Sequence, residues 1–170
     1  RIGTTGKGIG PTYTDKMSRY GLLVGDLELD FDKRYQAARD RHLQMLAQMG
    51  YQLPDDFAER ERRWLQAAAA MARFELADTD WLINDALRDG KKVLAEGAQG
   101  TMLDVDFGSY PFVTSSNTVS AGACIGLGVA PRNIGDVYGI FKAYCTRVGA
   151  GPFPTELFSA DGKTMQERGH

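Results

Sequence analysis

Apolar residues recur at helical spacing in one part of the chain above all. Tyr35, Ala38, His42 or Leu43, Leu46 and Met49 fall three or four residues apart, the recurrence of one helix face. Gly50 and Pro54 end that helix and open another. Phe57, Trp64, Leu65, Ala68, Met71 and Ala72 mark the second, and Asp78-Thr79-Asp80 caps a third that carries Leu82, Ala86 and Leu87 and stops at Gly90. The aromatic and Met positions of this zone, residues 31–90, read as core, not as a ligand box.

The pattern changes after residue 90. Val93-Leu94-Ala95 reads as a short apolar strand entering Glu96-Gly97-Ala98-Gln99-Gly100. Val137 to Val148 is mostly apolar and fits a strand buried on both faces, running into Gly149-Ala150-Gly151-Pro152. Between them, the small-residue stretch from Asn117 to Gly128 reads as a tightly packed helix beneath a loop. Residues 1–30 hold a glycine-rich loop, a short helix near 12–19, and Gly21-Leu22-Leu23-Val24-Gly25-Asp26. Strands that end in glycine turns, with helices between, indicate an α/β layer architecture. Such folds bind ligands at the carboxyl ends of strands, where the turns at 96–101 and 148–155 fall. The chain has no internal repeat and no low-complexity segment.

Composition narrows the partners. A length of 170 residues allows one domain with its own core. The formal net charge of -2 gives no basic field for nucleic acid. Arg60, Arg62 and Arg63 alternate with Glu59 and Glu61 and read as a solvated helix face. No apolar run approaches the roughly 20 residues of a membrane span. Cys124 and Cys145 lie outside any CxxC pair and read as buried free thiols of a reducing compartment. His42 and His170 do not make a metal cluster with them. The chain opens on Arg1, not Met, and the expectation is of a piece cut from a longer protein.

Four stretches carry candidate chemistry. Gly3 to Pro11, with Tyr13, Lys16 and Arg19 behind it, combines four glycines, two threonines and three cations, a mixture that suits a phosphate. It fails the Walker spacing, and no strand precedes it as in a dinucleotide fingerprint; a glycine-rich surface loop is the plainer reading. In Glu96 to Thr101, Gln99 offers both donors and an acceptor for a base edge or amide, or simply steadies a turn. Thr114 to Thr118 is an unbroken run of hydroxyl and amide side chains. It reads either as an N-cap or as an anion site at a helix N-terminus. Arg147 to Glu156 holds two prolines and two glycines that fix an unusual path, so its backbone would do any contacting. No Ser-His-Asp set or carboxylate dyad stands out. These residues suit holding a substrate better than breaking bonds.

GIGPTYTDKMSR, Gly8 to Arg19, resembles the signature of the adenylosuccinate synthetase family, as do IGTTGKGIGP, EGAQGTMLDVDFGSYPFVTSSNT and KAYCTRVGAGPFPTEL, in that order. The resemblance covers much of 1–26 and 96–157. It implies a purine-biosynthetic ligase that joins inosine monophosphate (IMP) and aspartate using GTP and Mg2+. The GTP γ-phosphate goes first to O6 of the purine, and the aspartate amine then displaces it. It implies that Thr5 and Thr114 contact the nucleotide 5′-phosphate and that Arg19 reaches the same phosphate of the neighbouring subunit across a homodimer. Gln99 would sit at the six-position of the purine, Val148 would contact the ribose through its backbone, and Lys16 is the lysine of the active-site signature. The family's GDEGKGK loop, its catalytic histidine, and its aspartate- and guanine-reading segments have no counterpart in these 170 residues.

The resulting expectation is an α/β fold with a P-loop-NTPase-like mixed, mainly parallel sheet and a helical subdomain over 31–90. The chain would be a single internal fragment, cytoplasmic, holding IMP without a metal site of its own and inactive alone. GTP and Mg2+ would serve the parent enzyme, and neither nucleic acid nor membrane would be a partner. A non-catalytic nucleotide-binding or dimerisation module is the alternative. An unrelated P-loop phosphotransferase is disfavoured by the failed Walker spacing.

Overall fold

The computed structural model describes residues 3–169. They form two compact units, one from Gly8 to Leu82 and one from residues 3–7 with 83–169.

The first unit is helical. α1 (Ile9–Met17) leads to a 3-10 turn (Val24–Glu28), α2 (Phe31–Gln48) and α3 (Phe57–Ala69), which tightens into a 3-10 turn at Ala70–Arg73. The predicted faces of α2 and α3 do meet. Phe31, Tyr35 and Trp64 stack with ring centroids 5.3 to 6.1 Å apart, which adds stacking to the area they cover. Beside the rings, the Tyr35 hydroxyl donates to Glu61 Oε1 at 2.6 Å, and Arg39 donates to both Glu61 oxygens. Burial, then the Glu61 hydrogen bond, pushes the Tyr35 hydroxyl up to about 12. The Arg39 hydrogen bond, then that of Tyr35, holds Glu61 below its ordinary range. The charge run is therefore solvated in part: Arg60 pairs with Asp56 and Arg62 with Glu59 outside, while Glu61 turns inward.

Helix ends follow their sequence signals. α2 stops at Gly50, φ 68°, with Gly50 N–H bonded to Ala47 O and Tyr51 N–H to Leu46 O, a Schellman closure. α1 closes in the same way, with Arg19 N–H to Lys16 O and Tyr20 N–H to Asp15 O. There the left-handed residue is Arg19, φ 64°. The Asp15 carboxylate meets His42 Nε2 at 2.6 Å, and the Arg41 guanidinium lies 4.0 Å from the Tyr20 ring centroid. α2 thus grips the turn that carries Arg19 from both sides.

α4 (Thr79–Arg88) begins in the first unit and ends in the second. The second unit then holds α5 (Gly122–Leu127), α6 (Ala160–Arg168) and 3-10 turns at Thr101–Leu103 and Pro131–Asn133. Ser159 caps α6 by accepting from Gly162 N–H. The small-residue stretch gives a helix of six residues, much shorter than 117–128. The rest is irregular.

The expected α/β fold with a P-loop-NTPase-like parallel sheet is not what forms. Among the described residues there is no strand. Residues 93–95 and 137–148 find no ladder partner, and Ile140 and Phe141 are 93% and 94% exposed. An apolar run reports what a segment could bury. A strand also needs a neighbour to pair with, which is a non-local property that composition does not carry. The expected core is thin for the same reason. Val129 is the one buried hydrophobic residue among those described, while Met49 and Leu82 of the predicted faces are exposed. Cys124 is half-buried and Cys145 is exposed, so only the first approaches the buried thiol expected. No helix of the described residues is long and apolar enough to cross a membrane.

Candidate functional site

The second unit organises its loops around a buried charge. Asp104 is fully buried. Its Oδ1 accepts from the N–H groups of Asp106 (2.9 Å) and Phe107 (3.1 Å), and its Oδ2 from those of Thr118 (2.6 Å) and Val119 (3.2 Å). The Asn117 amide adds a long fifth contact at 3.4 Å. Burial pushes this carboxyl up, but the four backbone donors outweigh it and hold its pKa down to about 2. One side chain therefore ties 104–107 to 117–119. Thr114 N–H to Leu103 O and Val105 N–H to Ser116 O complete the seam.

Two of the site residues read from sequence meet across this seam. The Gln99 amide donates to Thr114 Oγ1 at 3.0 Å, and Thr118 Oγ1 donates to Gly100 O at 2.6 Å. Gln99 is exposed and Thr114 half-buried, so the pair presents an amide and a hydroxyl together at the surface. Gln99 holds φ at 70°.

A second clasp brings in the 147–156 loop. Arg147 Nη2 donates to Phe112 O at 3.1 Å and to Ala150 O at 2.9 Å, and Nε donates to Ala150 O at 3.2 Å. Position 151 must be glycine beneath it. A Cβ there would overlap the guanidinium and stand 2.7 Å from Phe112 Cβ. Val148, 92% exposed, is held out on this loop. The opening segment leans on the same loop, since a Cβ at Gly3 would lie 3.1 Å from Gly149 Cα. Thr4 is spent locally, accepting from Gly6 N–H at 3.2 Å, while Thr5 is exposed. Thr5, Gln99, Thr114 and Val148 thus belong to one unit and to loops linked in series: the opening segment packs on the 147–156 loop, Arg147 ties that loop to Phe112, and Gln99 bonds Thr114. Lys16 and Arg19 belong to the other, on α1 and its closing turn; Lys16 Nζ stands 5.8 Å from the Tyr13 ring centroid.

Among the described residues, the non-glycine positions with positive φ are Arg19 and Gln99. An L-residue there costs on the order of 1 kcal/mol. Both are residues singled out for substrate contact, and each is kept against that cost.

No three His, Cys, Asp or Glu side chains converge among the described residues. Asp104 is committed to N–H donors, and His42 is paired with Asp15. His170 and Arg1 lie outside the described residues. These residues do not fit a Mg2+ site. What the loops can do is hold an anion and a polar base edge with hydroxyls, an amide and backbone.

Sequence reasoning passed over Asp104 and Arg147. In sequence Asp104 is one of two acidic residues in 101–110, with no period or motif to mark it. The signal for Arg147 was present: an arginine beside Gly-Ala-Gly-Pro, where backbone carbonyls lack regular partners.

A family model for adenylosuccinate synthetase matches residues 1–170. The chain is 65% identical to adenylosuccinate synthetase of Porphyromonas gingivalis over 169 residues, covering 99% of this chain and 40% of that protein. It is 61% identical to that of Parabacteroides distasonis over 170 residues, again covering 40% of the relative. The solved structure of fully ligated adenylosuccinate synthetase from Plasmodium falciparum superposes with a TM-score of 0.85 at 41% identity, over 100% of this chain and 39% of that one. The chain therefore spans about two fifths of the length of these relatives.

Proposed function

The chain belongs to the adenylosuccinate synthetase family, and on that premise we propose that it carries the IMP-holding part of the ligase. In this reading the parent protein joins IMP and aspartate with GTP and Mg2+, and the chain supplies binding and orientation. Thr5 and Thr114 hold the nucleotide 5′-phosphate. Gln99 hydrogen-bonds the six-position of the purine, and Val148 meets the ribose through its backbone. Arg19 reaches the phosphate of a neighbouring subunit in a cytoplasmic homodimer, and Lys16 belongs to the active-site signature. Hydroxyls and an arginine suit a phosphate. GTP and Mg2+ enter only as requirements of the family's reaction, and neither nucleic acid nor membrane is a partner.

The observation that carries the reading is the hydrogen bond between Gln99 and Thr114. It brings the amide assigned to the base next to the hydroxyl assigned to the phosphate, and Gln99 keeps this place at a left-handed φ of 70°. The chain alone is expected to bind IMP and to form no adenylosuccinate from IMP, GTP and aspartate. Turnover by the isolated chain sinks the claim that it only holds substrate. Loss of IMP binding in Thr114→Ala supports the assigned site; unchanged binding refutes it.

A further inference from the structure

The loops of the second unit have no sheet to stand on among the described residues, so side-chain hydrogen bonds to backbone must set their spacing. Asp104 does this for the 99–119 segment. The 147–156 loop follows 28 residues later in sequence and is joined to that segment by Arg147, through Phe112 O and Ala150 O. No carboxylate pairs with Arg147 among the described residues, so its fork is free for carbonyls. Gly151 leaves room for the guanidinium, and Gly3 packs against the same loop at Gly149 and Ala150. Phe112 stands two residues before Thr114, and Ala150 two after Val148.

We propose that Arg147 is a positioning residue: a strap that fixes the distance between the Val148 loop and the Thr114 loop, and so the width of the nucleotide site. This rests on the IMP reading above. The strap works by shape more than by charge. A guanidinium can bridge two carbonyls as a planar fork, while a lysine ammonium offers the same charge without that geometry. Arg147 needs no contact with substrate in this role.

The test uses the full chain with Arg147→Lys and, separately, Gly151→Ala, which crowds the guanidinium while altering no charged group. Hydrogen exchange is followed at the Phe112 and Thr114 amides, both hydrogen-bonded and 35 and 33 residues distant from Arg147. Both variants are expected to speed exchange there about tenfold, the worth of one charge-assisted hydrogen bond. IMP affinity by calorimetry should fall by a similar factor, with thermal melting of the helical unit unmoved. Exchange that rises only near 147–151, or not at all, overturns the strap. IMP binding that is equal in wild type and Arg147→Lys, despite looser loops, overturns its role at the site. Failure of wild type to bind IMP, with Phe112 and Thr114 still loosened in both variants, upholds the strap and removes the reading it was built on.

Discussion

The helical zone from Phe31 to Arg73 and the loop zone from Gly97 to Glu156 are held together by different forces. In the first, ring faces stack and one carboxylate, Glu61, is shared by Tyr35 and Arg39. In the second, Asp104 and Arg147 each spend a charge on backbone groups several turns of chain away. Side-chain packing is periodic and visible in sequence. A charge that organises backbone has no period, and it leaves the loop residues free to be chosen for contact with a ligand.

Breaking each zone at its own anchor separates the two. Asp104→Ala has the largest expected effect. It strands four N–H donors at once, and exchange at Thr118 and Val119 should rise about a hundredfold, with IMP binding lost. Acid weakens the same hub. A folded pKa of about 2 against an ordinary 3.8 means its contribution is complete above 3.8 and lost as pH falls through 2. Amide protection at Thr118 and Val119 across that window checks the sign. Trp64→Ala comes next: truncating a half-exposed ring of the stack should cost about 2 kcal/mol of stability in the helical unit, read by denaturant unfolding, and leave IMP affinity alone. Equal effects of both variants on IMP binding would erase the distinction between zones.

Two smaller substitutions sharpen it. Tyr35→Phe removes one hydrogen bond and should cost about 1 kcal/mol. In wild type Tyr35 is expected to ionise near 12. The folded state holds that proton more tightly than the unfolded, so the contribution persists below pH 10 and fades as pH rises through 12. Ultraviolet titration of wild type and variant follows it. Arg19→Gly should relieve the left-handed turn after α1 and stabilise by about 0.5 kcal/mol, while removing the arginine proposed for the neighbour's phosphate. A variant that is both less stable and fully functional would show that Arg19 is kept for folding.

How much could be read beforehand follows the same division. α2, α3 and α4 lie where Tyr35, Trp64 and Ala86 place them, because amphipathic spacing is local. Gly50 and Gly90 end their helices as expected. The strand read in 137–148 fails because pairing is non-local, and its Ile140 and Phe141 stand exposed. Gln99 and Thr114 stand out in sequence as candidate contacts; their hydrogen bond does not, since it depends on Asp104 folding one loop onto another. In sequence Arg19 is one of three cations of a phosphate-suited stretch; its positive φ appears only in the backbone.

Calorimetric titration of the wild-type chain with IMP and with inosine separates a site that holds the 5′-phosphate from one that does not. One IMP site per chain is expected and, without the phosphate that Thr5 and Thr114 are proposed to hold, binding of inosine at least tenfold weaker. Equal affinities, or no binding of IMP, would contradict it.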